Sequence, residues 1–180
     1  MSAFDATGTA PPWVIFVPRG TTQIQQQLSA LQSAGGHTYR FAASALLTEQ
    51  DIHRTFATTL QFPGYYGRNW HALVDCLDDL CGAVTGRIGL AAVITDADQL
   101  LNAPFFPLLV SVLCQAADRA NASTDLDGFP LDRPPIAEHF IFEFSDFDGE
   151  RITRTVSQPD LTVTTGDAFV AAELNPDEWH

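Results

Sequence analysis

Seven consecutive residues, Ile88 to Ile94, carry no polar side chain. A strand with one wet face alternates apolar and polar residues. A run without alternation reads as a strand covered on both faces, the habit of a parallel sheet with helices above and below. The flanking sequence fits that frame. Trp13 to Val17 is a second apolar run rich in β-formers, closed by Pro18. Thr21 or Thr22 can cap a helix with Ile24, Leu28 and Leu31 on one face, stopped by Gly35 and Gly36. His37 to Ala42 reads as a strand. Thr48 then caps a helix with Asp51 at the capping-box position and Ile52, Phe56 and Leu60 on one side. Pro104 suits the first turn of a Leu-rich helix. Residues 121–135 read as a loop. Ile136 to Phe144 alternates, with three phenylalanines on one face, and Arg151 to Ser157 reads as a further strand. The alternation predicts one α/β domain over residues 13–157, a small, mainly parallel sheet with helices packed on it. Residues 1–12, small, polar and ended by prolines, are expected to form a flexible tail, and residues 158–180, with weak signals, a weakly structured one.

Charge narrows the function. The chain carries 22 Asp and Glu against 9 basic residues, all of them Arg, for a net charge of −13. Nucleic-acid affinity rests on cations that displace counterions, so this composition excludes a nucleic-acid binder. Repulsion excludes docking on an anionic membrane surface as well. The apolar fraction is that of a folded protein, and the fitting partner is a basic protein. The first 50 residues are neutral, and the acidic excess lies in the remainder. Three cysteines, Cys76, Cys81 and Cys114, are an odd number without zinc-site spacing, and they read as free thiols in a reducing compartment. The N-terminus lacks a basic n-region and no apolar run reaches a membrane span of about 20 residues, so the expected location is cytoplasmic. No glycine fingerprint follows a strand, and no cofactor is expected.

The most informative segment is a helix expected over 69–80. At about 100° per residue, Leu73, Leu77 and Leu80 face one way, flanked by Trp70 and Cys76. His71, Asp75, Asp78 and Asp79 face the other. Three carboxylates near the C-terminal end of a helix repel one another and oppose its carbonyl dipoles. A design for stability alone would place Lys or Arg there. His71 and Asp75 at i, i+4 could begin a metal site or a catalytic dyad, but a third ligand or a nucleophile is missing, so no enzyme is expected. Just upstream, FPGYYG (62–67) has turn chemistry. Consecutive tyrosines at a turn cannot both face inward, so Tyr65 is expected outside and Tyr66 in the core. Gly67 is expected to permit a backbone conformation that other residues resist, Asn69 to hydrogen-bond backbone at the helix start, and Trp70 to pack in the core.

The stretch FPGYYGRNWHALVDCLDDL (62–80) resembles the barstar family of ribonuclease inhibitors. Pro63, Tyr65, Tyr66, Gly67, Asn69, Ala72, Leu73, Asp75, Cys76 and Leu77 carry the likeness, which extends more weakly over 48–120. Residues 1–45 and 145–180 lie outside the compact family core, which makes this a longer variant with an extra N-terminal β-α unit. The resemblance implies an inhibitor that plugs the active site of a basic ribonuclease or related toxin, in an immunity or antitoxin role. The aromatic loop and the helix after it would enter the cleft and set carboxylates where the substrate phosphate would lie. Tyr65 and Asp75 match contact positions of the family. His71 stands where the family's namesake has an Asp, Val74 where it has a Trp, and Gln115 where a later acidic contact lies. The expected toxin-binding set is therefore Tyr65, His71, Asp75, Asp78 and Asp79. A second reading is a non-inhibitory module that uses the same fold to bind another basic protein.

Overall fold

The computed structural model describes residues 4–125 and 127–178, and the ends of the two expected tails lie outside them. The elements run β1 (Val14–Pro18), α1 (Thr22–Ser33), β2 (His37–Ala42), α2 (Glu49–Thr59), α3 (Trp70–Asp78), α4 (Gly82–Thr85), β3 (Gly89–Thr95), α5 (Phe106–Asn121), β4 (Ala137–Phe144), α6 (Gly149–Val156), β5 (Leu161–Thr165) and β6 (Val170–Leu174). The six strands form one sheet in the order β2-β3-β4-β1-β6-β5. β2, β3, β4 and β1 are mutually parallel, while β6 runs antiparallel to β1 and β5 antiparallel to β6. The fold is thus the expected α/β architecture with a mostly parallel sheet.

The apolar run at 88–94 supplies β3, and its residues 89–94 are buried throughout. Alternate side chains go to two separate cores. Leu90, Ala92 and Ile94 join Phe16, Phe140, Phe142 and Phe144 beneath α2, α3, α5 and α6. Ala91 and Val93 join Ile15, Val17 and Ile141 beneath α1. Phe16 stacks on Phe142 at 5.1 Å, and Phe106 of α5 meets Phe142 edge-on at 5.5 Å, geometries that aromatic quadrupoles favour. β3 can lie this close to β4 because Gly89 opens it. A Cβ there would sit 2.0 Å from the Ala137 carbonyl oxygen, and its φ of +154 lies where side chains are rarely found.

Several expectations need correction. Residues 151–157 are not a strand but most of α6. Asp148 Oδ1 accepts from the Arg151 amide at 3.1 Å, and Ile152 and Val156, four apart, fill the core. The segment 158–180 includes the hairpin β5–β6, which extends the sheet beyond β1. Within residues 1–12, Phe4 and Ala6 are buried under the α1 face. Pro107, not Pro104, sits in the first turn of α5. The loop over 121–135 is tightened by hydrogen bonds from the Asp127 and Phe129 amides to Asp125 Oδ1.

β4 buries two titratable neighbours on opposite faces. His139 Nε2 donates to the Gly8 carbonyl at 3.0 Å, with its ring edge-on to Phe4 at 5.3 Å. Burial holds its pKa down at about 4. Glu138 is fully buried, and neither carboxyl oxygen has a hydrogen-bond partner among the described residues. Burial, with some help from Asp78 and opposed by Arg133, pushes its pKa well above the usual carboxylate range.

The two groups tilt stability in opposite senses. The unfolded His139 takes a proton near 6.5 and the folded one only near 4, so its contribution is complete above about pH 6.5 and is lost as pH falls towards 4. The full span is worth about 3 kcal/mol. Glu138 keeps its proton when folded and loses it in the unfolded chain above about 4.5, so its contribution declines as pH rises. Urea unfolding of Glu138→Gln should therefore show a gain over the wild type that grows from pH 5 to pH 8. His139→Gln should lose least at pH 4.5. A Glu138→Gln curve parallel to the wild type would mean that the carboxyl is ionised in the folded protein.

Candidate functional site

α3 owes its start to Asn69, whose Oδ1 accepts from the Ala72 amide at 2.9 Å. The preceding Arg68 has φ +50, so the left-handed residue at this helix start is Arg68 and not Gly67, whose φ is not positive. Gly67 instead leaves room beside the cap. A Cβ there would come within 3.1 Å of Asn69 Nδ2 and crowd the cap. Leu73, Val74 and Leu77 are buried, and α3 packs against α5. Burying that face turns His71 and Asp75 into solvent.

The loop before α3 divides its tyrosines. A Tyr66 N–H to Pro63 carbonyl bond of 3.0 Å closes a turn, and Tyr65 lies at its tip, 84% exposed. Tyr66 turns in. Its Oη is hydrogen-bonded to His53 Nδ1 of α2 at 2.5 Å, and its ring meets Phe62 edge-on at 5.0 Å. The half-buried Trp70 ring lies 5.0 Å from His53. Burial pushes the Tyr66 hydroxyl up to about 12 and the His53 imidazole down, so both are neutral near pH 7. The neutral pair pins the loop from beneath while leaving Tyr65 free.

The three carboxylates of α3 have different surroundings. Asp75 is exposed and pairs with Arg119, in the last turn of α5, at 3.1 Å. Asp78 is half-buried and pairs with Arg133, which also donates to the Arg119 carbonyl at 2.8 Å and the Ala120 carbonyl at 3.3 Å. Burial raises the Asp78 pKa, partly offset by the Arg133 and Arg119 charges. Asp79, the C-terminal cap, is exposed and has no ion-pair or side-chain hydrogen-bond partner among the described residues. His71 is exposed with no hydrogen-bond partner among them either. No group of three His, Cys, Asp or Glu is placed to hold a metal among the described residues.

Arg119 and Arg133 are the site residues that sequence reasoning missed. They stand 44 and 55 positions from their acids, and neither spacing leaves a local signal. Asp96 and Asp98, at the end of β3, brace loops instead of joining this face. Asp96 pairs with Arg19 at 3.1 Å, and Asp98 accepts from the Ser145 and Asp146 amides at 2.9 Å each.

A family model described as Barstar (barnase inhibitor) matches residues 36–129, from the edge of β2 into the loop after α5. The chain belongs to the barstar family. The matched segment contains α2, the Tyr65 turn, α3, β3 and α5. β1 and α1 precede it, and β4 through β6 follow it, so this barstar-family chain completes its sheet with strands from outside the matched region. No curated protein matches the chain. No helix among the described residues is long and apolar enough to cross a membrane.

The two ion pairs should differ in weight. Asp75–Arg119 is solvent-exposed and screened, so Arg119→Ala should shift stability by no more than about 0.5 kcal/mol. Arg133→Ala strips the half-buried Asp78 of its counter-charge and two backbone carbonyls of a donor, at a cost of about 2 kcal/mol. Chemical unfolding of the two variants at pH 7 makes the comparison, and equal losses would contradict it.

Proposed function

We propose that this barstar-family chain binds and blocks the active site of a basic ribonuclease or related toxin, as an immunity protein or antitoxin in the cytoplasm. The description of the matched family supports an inhibitory role of this general kind. The observation that carries the reading is the pairing of a fully presented aromatic, Tyr65, with a helix that directs Asp75 and Asp79 into solvent beside it.

A nuclease cleft gathers Lys, Arg and His to stabilise charge on a transferring phosphoryl group. Carboxylates fixed on a helix satisfy those cations and offer no bond to cleave. Tyr65 supplies rigid apolar area at the centre of the contact, since an aromatic ring buries much surface at small entropic cost. In this scheme Asp75 meets the most buried cations of the cleft. His71 flanks it on the preceding turn, and Asp78 and Asp79 extend the acidic face. The chain is a stoichiometric ligand and not a catalyst, and needs no cofactor.

Electrostatic steering should show in the kinetics, an effect of which the family's namesake complex is itself an example. The test uses a ribonuclease toxin encoded beside this chain, with RNA cleavage as the readout. Asp75→Ala is expected to weaken inhibition by about thirtyfold or more, the signature of a centrally placed contact, while His71→Ala costs about threefold. The association rate should fall as salt rises from about 0.05 to 0.5 M, because the Debye length shrinks from more than 10 Å to a few Å. Undiminished inhibition by Asp75→Ala removes Asp75 from the contact. A salt-independent association rate removes the acidic face as the docking surface.

A further inference from the structure

The docking face also contains a depression of about 220 Å³, set between the Tyr65 turn and the C-terminal end of α3. Phe62, Pro63, Leu80 and Val84 supply its apolar lining, Tyr65 forms part of its wall, and Asp79 is its one charged lining residue. We infer that this depression is a socket for a single arginine side chain projecting from the basic partner. The inference rests on the proposed reading of this face as a docking surface for a basic protein.

Three observations select that occupant. The first is the state of Asp79. Asp75 and Asp78 already hold cations of their own chain, Arg119 and Arg133, whereas Asp79 has none among the described residues. The second is position. Asp79 caps α3, where unpaired helix carbonyls add negative potential. A carboxylate is unfavourable there and a cation is favourable, so an incoming cation gains from the acid and from the helix end together. The third is shape. An anion would be repelled, and an apolar side chain would desolvate Asp79 without compensation. A lysine would bring only a compact, strongly hydrated charge. Arginine brings an apolar stem for the partly exposed Phe62 and Pro63, a planar face for the Tyr65 ring and a fork for a carboxylate. Tyr65 is exposed enough to offer that face.

The experiment uses the full chain, labelled with nitrogen-15, and N-acetyl-L-arginine N-methylamide as the probe. Saturable shifts are expected at the Leu80 and Val84 amides, with a dissociation constant in the millimolar range. Asp79→Asn should weaken binding about tenfold, and Tyr65→Ala about threefold. The citrulline analogue, of the same length but neutral, should bind about tenfold more weakly than arginine. Both substituted side chains are exposed, and an otherwise unchanged spectrum verifies that each variant folds. Absence of saturable shifts at these amides overturns the socket, as does binding undiminished by Asp79→Asn. Equal binding of the lysine analogue overturns the choice of arginine. The outcome is independent of ribonuclease inhibition. Probe binding with no inhibition of a ribonuclease keeps the socket and removes that target class, and inhibition without probe binding does the reverse.

Discussion

Burial of Leu73, Val74 and Leu77 against α5 fixes the rotation of α3, and the rest of the proposed docking face follows from that rotation. A helix has one free angle about its own axis. Once three apolar side chains settle it, the positions of His71, Asp75, Asp78 and Asp79 are no longer independent. Asn69 fixes where the helix begins, and the Tyr66–His53 bond fixes where the turn before it lies. The polar face is therefore held chiefly by apolar packing and two hydrogen bonds, with the Asp78–Arg133 pair as a further tie from α3 to the loop after α5.

The same logic decides what could be read from the sequence. β3 was legible because a long apolar run has few ways to be buried. The outward Tyr65, the inward Tyr66 and the capping Asn69 were legible because turns and caps are local chemistry. α6 was not, because Ile152, Thr153, Thr155 and Val156 are β-branched and imitate a strand. The cap at Asp148 and the four-residue spacing of Ile152 and Val156 outweigh that tendency. The β5–β6 hairpin was hidden for another reason. Its outer strand is rich in Thr, only partly buried, and exists because β1 offers β6 an edge. The pairings of Asp75 with Arg119 and Asp78 with Arg133 depend on the tertiary arrangement alone, and no spacing rule announces them.

The two faces of the sheet are covered unequally. Helices α2 to α6 lie over the aromatic core, while α1 and the segment bearing Phe4 and Ala6 cover the other. β4 passes between them with Glu138 turned to one core and His139 to the other. Burial favours the neutral form of each, which lets adjacent residues of one strand answer acid and alkali in opposite directions. The edge of the α1 face is closed by Arg40, which reaches Glu143 at 3.7 Å across β3.

Arg119 and Arg133 give the acidic helix a further property. Before any partner arrives, two of its three carboxylates are already matched by cations held on α5 and on the loop that follows it. On the proposed docking face, a partner's cations would exchange with these arginines and would not meet bare charge. The gain from each such swap is a difference between two ion pairs, smaller than either. The displaced guanidiniums remain nearby as positive charge that a poorly matched partner would have to tolerate. Internal pairing of this kind would make such a face selective at the expense of raw affinity, because only a surface that out-competes both arginines in geometry would have reason to stay.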